Sequence, residues 1–364
     1  MDTSAKEIDF DEQGVCSFCK EYEKNSLSDL HNSLEDQIKL KKFFEKLKVK
    51  RSKHKYDCLI GVSGGVDSSY VAYILKKEYK LNPLAIHLDN GWNSELAVSN
   101  VESLMNKLNI DLITHVLDWN EFKDIQLSFI KSSISNIEIP TDHAIWAILL
   151  RTASSMKIPY IIAGNNVVTE SIMPKTWLYQ SKDSKLIKSI YKKFGSKNKI
   201  KNMPLLSNFD YIYFLIFKRI KWIPLLNYID FNKQKAKMIL IKELGWRDYG
   251  GKHYESIFTR FFHSFYLVNK FGYDLRKPYL SALICSGQIS KEEALKELSS
   301  PPASSEIIKS DKSYVSKKLN LTEIELDQVL SKENKLFSDY PNSNYLWNAF
   351  SRIIKLLRKF ITSV

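Results

Sequence analysis

An apolar run that stops at two glycines and gives way to helical spacing constrains the fold of this chain more than any other feature. Residues 56–62 have the length of a buried strand, SGGVDSS follows at 63–69, and apolar residues recur at helical spacing over 67–78. Glycines allow a tight turn, and the N–H groups of the turn and helix start form an anion site that the helix dipole reinforces. The sequence therefore predicts a phosphate-binding strand–turn–helix unit, with an ordinary glycine turn as the alternative.

Strand-like and helix-like segments keep alternating after this unit. The pattern predicts strands at 56–62, 83–89, 111–117 and 160–163, and helices over 67–78, 94–108 and 142–156. Such alternation implies a parallel sheet with right-handed crossovers. We therefore predict an α/β fold with a doubly wound parallel sheet.

The rest of the chain predicts three further regions around this α/β domain, which we place at 56–180. A polar, Lys-rich leader with one Cys-x-x-Cys occupies 1–55, and its apolar residues follow helical spacing from 30 to 47. After Gly164 the alternation stops, so 181–300 is predicted to be mainly helical, including a helix capped by Asn232 that ends near Gly245. Pro301-Pro302 marks a loop before a C-terminal helical tail at 301–364.

Positive charge is concentrated in two stretches. The chain has 54 Lys plus Arg against 41 Asp plus Glu, a net charge of +13. Eleven basic residues against two acids at 181–222, and four against none at 344–364, account for the whole excess. The first stretch suits a nucleotide sugar, nucleic acid or an acidic membrane surface, although a solvated face is favoured slightly. The second has an amphipathic helical pattern, for which core packing is favoured over membrane docking. Peripheral membrane contact stays open, and nucleic acid is the less favoured partner.

The cysteines and the hydropathy pattern indicate a cytoplasmic protein. Cysteines occur only at 16, 19, 58 and 285, too few and too unevenly placed for a disulfide framework. We find no signal peptide, and the longest apolar run, 211–217, is far shorter than the ~20 residues of a membrane span. Cys16 and Cys19 have the spacing of half a structural zinc site, and two unligated thiols are an equal alternative. Cys58 and Cys285 are predicted core residues.

The glycine turn resembles the PP-loop of the ATP pyrophosphatase (adenine nucleotide alpha-hydrolase) superfamily. The resemblance implies that the loop binds the β and γ phosphates of ATP and that Asp67 places Mg²⁺. It also implies that Asp89, after the second strand, lines the adenosine pocket, and that Gly164 contributes to the nucleotide site. The loop residues implied in ATP binding are Ser63, Gly64, Gly65, Val66, Asp67, Ser68 and Ser69.

A narrower resemblance is to the N-acetyl sugar amidotransferase family of bacterial O-antigen (lipopolysaccharide) biosynthesis. It is carried by GVCSFC at 14–19, AGNN at 163–166, WRDYGGKHYES at 246–256, FTRFFH at 258–263 and LICSGQISKEEAL at 283–295. It implies that ATP adenylates the acyl oxygen of an acetamido group on a nucleotide-linked sugar, and that ammonia then forms an acetamidino group. The family usually carries a second Cys-x-x-Cys before the first, and its absence from this sequence puts the zinc site in doubt.

Several polar residues in these segments are candidates for chemistry. Lys252 follows two glycines and is the candidate for stabilising charge on the α phosphate or the leaving pyrophosphate, with a solvated surface lysine as the alternative. Asp142 alternatively caps a helix, and Glu255 and Arg260 alternatively form surface ion pairs. The candidate substrate-binding residues are Asp142, His143, Asn165, Asn166, Arg247, His253, Glu255 and Arg260.

The sequence has no glutaminase signature with a Cys nucleophile and a His partner, so ammonia must come from elsewhere. The family resemblance implies a separate glutaminase and an ammonia-channel subunit, similar to the pair in histidine biosynthesis. Two alternatives remain. A tRNA thiolase of the same superfamily would use the basic stretch for RNA, and a non-catalytic nucleotide-binding scaffold would keep the loop without turnover.

Overall fold

A parallel sheet forms the centre of the molecule. The computed structural model describes residues 1–26, 29–50, 55–251 and 253–347. Within these ranges, five parallel strands pair in the order β3-β2-β1-β4-β5. The strands are β1 Cys58–Gly61, β2 Pro83–Asp89, β3 Asp111–Val116, β4 Tyr160–Ala163 and β5 Lys221–Pro224.

Helices connect the strands and build the second half of the chain. Turns of π-helix extend four of them, at Tyr22–Ser26, Ile74–Glu78, Tyr213–Phe217 and Phe262–Tyr266. In the described part, the α-helices are α1 Ser17–Glu21, α2 Leu34–Lys50, α3 Val66–Tyr73, α4 Glu95–Leu108, α5 Trp119–Lys131, α6 Ile139–Ser155, α7 Val167–Glu170, α8 Ser184–Phe194, α9 Asn208–Ile212, α10 Lys233–Leu244, α11 Ile257–Phe261, α12 Leu267–Phe271, α13 Arg276–Cys285, α14 Lys291–Leu298, α15 Ser305–Lys318 and α16 Glu323–Leu330.

Both faces of the sheet are covered, as the apolar run of β1 requires. Successive side chains of a strand point to opposite faces. Cys58 and Ile60 pack with residues of α2, α3, α4 and α10, whereas Leu59 packs with α6 and the segment 206–220. All three side chains are fully buried. A strand that is apolar at consecutive positions therefore lies between two helical layers.

The predicted α/β fold is confirmed, and β2 and β4 have the predicted bounds. The helix capped by Asn232 is also present, and Gly245 ends it in the left-handed conformation with φ 58°. The sequence interpretation missed β5, because the strand has four residues, ends in Pro224 and lies in an aromatic stretch assigned to the helical half. Proline is tolerated there since β5 is at the edge of the sheet, paired only with β4.

The regions predicted as leader and tail share their cores with the rest of the molecule. Phe44 of α2 packs into the core beside the sheet, and Phe18 of α1 packs with Trp177 and Ala282. Val315 of α15 lies in one cluster with residues of α5, α8 and α11. None of the described helices has both the length and the apolar character needed to cross a membrane.

Candidate active site

The PP-loop lies at the point where the strand order reverses. Strand β1 leads into residues 63–65, and β1 has β2 on one side and β4 on the other. Ligands of open α/β sheets bind outside the carboxyl ends of the strands at such a switch point. Gly65 is the N-cap of α3 and provides no side-chain cap, so no side chain of the N-cap residue covers the first N–H groups of the helix. These donors and the helix dipole suit a phosphate group.

The loop is held in shape by hydrogen bonds from a distant segment. Gly64 has φ 85°, and a Cβ placed on it would lie 2.8 Å from the Tyr249 hydroxyl. The carbonyl oxygen of Gly64 accepts bonds from Trp246 Nε1 at 2.8 Å and from the Tyr249 hydroxyl at 3.0 Å. Within the loop, Ser63 Oγ accepts a bond from the Gly65 N–H at 3.3 Å. Residues 246–249 therefore act as a clamp on the PP-loop.

Gly164 brings the end of β4 against the start of α3. A Cβ placed on Gly164 would lie 2.9 Å from the carbonyl carbon of Asp67 and 3.1 Å from the Ser68 nitrogen. Real Cβ atoms do not approach backbone so closely, so any side chain would displace the loop. Only glycine permits this packing, and the predicted part of Gly164 in the nucleotide site stays a prediction.

Lys233 faces Asp67 across the loop. Its Nζ lies 3.7 Å from Asp67 Oδ2 and 5.1 Å from the ring centre of Tyr279. Burial opposes the ammonium charge, but the Asp67 carboxylate and other nearby acidic groups outweigh it and raise the pKa of Lys233. A lysine that stays charged in a largely buried position next to a phosphate cradle can bind phosphate or a departing pyrophosphate.

Glu255 borders the loop from the other side. Its Oε1 would lie 3.1 Å from a Cβ on Gly65, and it is 3.8 Å from His253 Nδ1. Burial alone would raise the pKa of Glu255, but a hydrogen bond and the charge of His253 reverse the shift and lower it. The Glu255 carbonyl accepts the Ser94 N–H at 2.9 Å, which links this segment to the end of β2.

The chain forms an Asx turn at the end of β2, at the carboxyl edge of the sheet. Asp89 Oδ1 accepts the Gly91 N–H at 2.8 Å, and Asn90 Oδ1 accepts the Trp92 N–H at 3.1 Å. The ring of Trp92 is fully buried. Asp89 thus lies at the carboxyl edge of the sheet, as expected for a residue near the adenosine, although its predicted contact with the nucleotide stays a prediction.

Two acids at the start of α6 lie at the same edge. Glu138 precedes α6 and Asp142 is in its first turn, and the neighbouring Thr141 hydroxyl lies 3.4 Å from Asn90 Nδ2. Burial, aided by the neighbouring Asp142, raises the pKa of Glu138 to about 8, and burial raises the pKa of Asp142 to about 7. In the described part of the chain neither forms an ion pair, so the pair keeps protons near neutral pH.

Two of the predicted substrate ligands are used by the scaffold instead. His143 Nε2 accepts the Leu206 N–H at 2.9 Å, and Nδ1 lies 2.8 Å from the Ser181 carbonyl oxygen. Burial lowers the pKa of His143 to about 4, so the ring is neutral with both nitrogens occupied. Asn166 caps α7 through its side-chain oxygen. Neither side chain keeps its main donor or acceptor for the predicted substrate contact.

The remaining predicted ligands lie at different places. Arg260 forms two 2.7 Å hydrogen bonds with the buried Asp311 of α15, an ion pair other than the surface set given as the alternative. Arg247 Nη2 donates to Ser99 Oγ at 2.9 Å on α4, and the exposed Asn165 accepts from Trp222 Nε1 at 2.8 Å. The structure brings Glu255 and His253 to the PP-loop but not Arg247 or Arg260, whose substrate roles stay predictions.

Lys252, the predicted catalytic lysine, lies outside the described residues. Sequence reasoning missed Lys233 and Glu138. A signal existed for each: Lys233 directly follows the helix-capping Asn232, where the helix dipole disfavours a cation. Glu138 and Asp142 are like charges four residues apart on a helix, which is also unfavourable. At each of these positions the charge lowers local stability, which is typical of functional residues.

Three of the four cysteines lie close together. Cys16 Sγ is 3.3 Å from Cys19 Sγ, which is 3.9 Å from Cys285 Sγ at the end of α13. Burial raises the pKa of both Cys19 and Cys285, so the thiols stay protonated. Among the described residues, no three His, Cys, Asp or Glu side chains are arranged to hold a metal ion. The zinc site implied for Cys16 and Cys19 stays a prediction.

Two family models match separate parts of the chain. Residues 38–138 match the model described as NAD synthase, and residues 255–354 match the model described as LPS biosynthesis protein WbpG-like, C-terminal domain. The first range contains the PP-loop and the second contains Glu255. These matches support the PP-loop superfamily for the α/β part of the chain and an LPS-related C-terminal region.

Relatives with established structures or curated records are distant. An uncharacterized protein, MJ1599, of Methanocaldococcus jannaschii is 24% identical over 274 residues, 74% of this chain and 82% of the relative. The NH3-dependent NAD synthetase of Campylobacter jejuni has 15% identity and a TM-score of 0.31, covering 82% of this chain and 98% of its own. The U34-tRNA thiolase NcsA of Methanococcus maripaludis, with its [4Fe-4S] cluster, has 18% identity and a TM-score of 0.27, covering 57% and 75%. At these values the structural likeness says nothing about substrate.

Proposed function

We propose that this protein is an ATP-dependent amidotransferase that converts an acetamido group of a nucleotide-linked sugar to an acetamidino group. The proposal is supported above all by one observation: the uncapped start of α3, with Asp67 and Lys233 3.7 Å apart beside it, at the switch point of the sheet. A nucleoside triphosphate is a ligand that needs both the backbone anion site and a nearby cation.

The donor set at the loop fits ATP with Mg²⁺. Magnesium is usually bound by one or two carboxylates together with substrate phosphates. Asp67 supplies such a carboxylate, and the N–H groups after Gly65 supply the phosphate site. When bound, Mg²⁺ would neutralise charge that develops on the phosphates. Lys233 would stabilise the leaving pyrophosphate from its position against Asp67.

The reaction has two balanced steps. The acetamido oxygen attacks the α phosphorus, the bond to the β phosphate breaks, and pyrophosphate leaves. Ammonia then attacks the activated carbon, the bond from carbon to the AMP oxygen breaks, and AMP leaves with the oxygen. The product is an acetamidinium cation, because the nitrogen that replaces the oxygen keeps the extra proton at neutral pH.

The acidic pair at the carboxyl edge of the sheet suits this substrate. Glu138 and Asp142 bear raised pKa values, of about 8 and about 7, and lie near Asn90 at the sheet edge. The deprotonated form of a carboxyl group with such a pKa is populated near neutral pH and is basic enough to take the proton that ammonia loses as it attacks.

Ammonia delivery by a separate glutaminase with an ammonia channel is part of the proposal. Cys58 is fully buried in β1, and the other three cysteines cluster together with raised thiol pKa values for Cys19 and Cys285. None of them resembles an activated thiolate nucleophile. We expect the chain alone to use ammonium but not glutamine.

The test is product formation with a panel of nucleoside diphosphate sugars that carry acetamido groups. We expect AMP and pyrophosphate in equal amounts, and ¹⁵N in the sugar when ¹⁵N-ammonium is the nitrogen source. Matched sugars with a hydroxyl in place of the acetamido group should give neither. Sugar-independent pyrophosphate release that is stimulated by tRNA instead would support the thiolase alternative and overturn the proposal. Incorporation from amide-labelled glutamine without a second protein would overturn the separate glutaminase.

A further inference from the structure

The helix formed by α9 and its π-helical extension carries apolar side chains on its solvent side as well as its core side. Tyr211 and Phe214 are buried in the core. On the outside, Phe209 is 81% exposed and Phe217 is 73% exposed. Tyr213 and Ile216 lie between them and are also exposed, at 45% and 44%. A surface helix normally carries polar side chains on its solvent side. Apolar side chains on that side therefore indicate a contact surface.

The exposed side chains form one stripe, which we name the aromatic ridge: Phe209, Tyr213, Ile216 and Phe217. Positions four and eight residues apart share a helix face, so Phe209, Tyr213 and Phe217 follow one another along it. The ridge is the outer face of a helix and not a groove.

Basic residues border the ridge on one side. Lys218, Arg219 and Lys221 are all exposed, and Lys218 Nζ lies 5.4 Å from the Tyr213 ring centre. Asp210 is the only acid between residues 205 and 222, and it is used in a capping box with Ser207. The local charge is therefore positive and directly adjacent to the aromatic side chains.

The C-terminal end of the ridge and its basic border lie away from the PP-loop. Lys221 pairs in register with Tyr160, the first residue of β4, so the segment 218–221 is at the amino ends of the strands. The PP-loop is at the carboxyl ends. Next to Lys221, whose N–H donates to the Pro159 carbonyl, the loop before β4 adds Met156, which is 42% exposed, and Lys157. A flat surface against the basic border and Phe217 would therefore contact the molecule away from the PP-loop.

We propose that the aromatic ridge and its basic border dock the protein onto an anionic lipid bilayer. Aromatic and aliphatic side chains enter the interface, and each nearby Lys or Arg adds electrostatic attraction to acidic headgroups. Protein interfaces are typically depleted in lysine, which the border contains twice. Single-stranded nucleic acid also attracts lysines and stacks on aromatic rings, but the aliphatic Ile216 offers no stacking surface; binding of an oligonucleotide without binding of vesicles would overturn the proposal. This inference does not depend on the reaction that the PP-loop supports.

The experiment is vesicle flotation of the full chain. We expect binding to vesicles of phosphatidylcholine with added phosphatidylglycerol, little binding to phosphatidylcholine alone, and loss of binding as salt is raised. The double variant Phe209→Ser/Phe217→Ser should lower partitioning about tenfold or more, since it removes the two most exposed rings. The matched control Leu295→Ser/Ile324→Ser changes two equally apolar side chains, 57% and 71% exposed, on other helices and should bind as wild type.

A second variant protects the test against loss of folding. Lys218→Glu/Lys221→Glu changes only exposed side chains and should lower binding to anionic vesicles about tenfold or more. The proposal would be overturned if the double variant of the ridge or that of the basic border bound vesicles as well as wild type does. It would also be overturned if wild type did not float with anionic vesicles. A wild-type dimer in solution that the Phe209→Ser/Phe217→Ser variant converts to monomer would show that a second copy covers the ridge, which also overturns it.

Discussion

Two pairs of ionisable side chains at the carboxyl edge of the sheet have opposite electrostatics. Asp67 and Lys233 are of opposite charge and 3.7 Å apart, and the pKa of Lys233 is raised despite its burial. Glu138 and Asp142 are both acids, and burial raises their pKa values to about 8 and about 7. In the first pair the Asp67 carboxylate favours the charged form of Lys233, and this pairing of opposite charges suits phosphate and Mg²⁺. The second exchanges protons near pH 7, which suits proton transfer.

The sharpest way to break this comparison is to remove the charge of Asp67. We expect Asp67→Asn to lower pyrophosphate release by about 10³ or more, because the carboxylate that would place Mg²⁺ against the phosphates is lost. The circular dichroism spectrum should stay unchanged. The matched control is Glu95→Gln, an exposed acid in the first turn of α4, which should keep wild-type turnover. Near-normal turnover of Asp67→Asn would remove Asp67 from the site.

Lys233 tests the other half of the charged pair. We expect Lys233→Met to lower turnover about 10²-fold, since it removes a cation that would act on the leaving pyrophosphate while keeping most of the side-chain volume. Lys235→Met, two residues further on the same helix and exposed, is the control. If both variants lose the same modest amount of turnover, Lys233 only supports the start of α10.

Lys233 and the strands of the sheet illustrate what the sequence could and could not predict. The strands at 83–89 and 160–163 were predictable, because their apolar runs and flanking glycines or prolines are local signals. Asn232 was also recognised as a helix cap. That Lys233 meets Asp67, 166 residues earlier in the chain, depends on how α10 packs against α3, and no local pattern encodes that contact. For the same reason the sequence did not predict that Cys285 reaches Cys19.

His143 shows another contact that the sequence could not predict. A histidine next to an aspartate at a helix start resembles a binding motif, yet its ring joins two loops that are distant in sequence, at Ser181 and Leu206. The alternative of a satisfied buried side chain depends on those loops, which do not lie near it in the sequence. The pKa of its neighbour Asp142 is raised, and Asp142 belongs to the candidate site. Of two adjacent residues in one motif, one therefore supports the scaffold and the other belongs to the candidate site.

Gly164 tests the backbone contact beneath the charged pair. We expect Gly164→Ala to destabilise the protein by about 1–3 kcal/mol and to lower turnover, because its Cβ would lie 2.9 Å from the Asp67 carbonyl carbon and must displace the loop. Gly61→Ala is the control, since its Cβ would meet Leu149 at an ordinary 3.5 Å. Denaturant unfolding and pyrophosphate release measure the two effects. A Gly164→Ala enzyme as stable and active as Gly61→Ala would mean that the contact is not needed.

The smallest expected effect concerns the proton-exchanging pair, and it appears in the pH dependence of stability. The folded pKa of Glu138, about 8, lies above its ordinary value of 4.5, so the folded state binds more protons than the unfolded state between these values. Stability should therefore fall as pH rises from about 5 to 8, and be greatest at the acid end of that window. Glu138→Gln removes the titration at Glu138, while the Asp142 titration remains. We expect the melting temperature of Glu138→Gln to fall less over this range, by about 2 °C or more at pH 8, whereas Glu102→Gln, an exposed acid on α4, should follow wild type. Parallel melting profiles for wild type and Glu138→Gln would mean that the acid is charged in the folded protein, and its proposed part in deprotonating ammonia would fail with it.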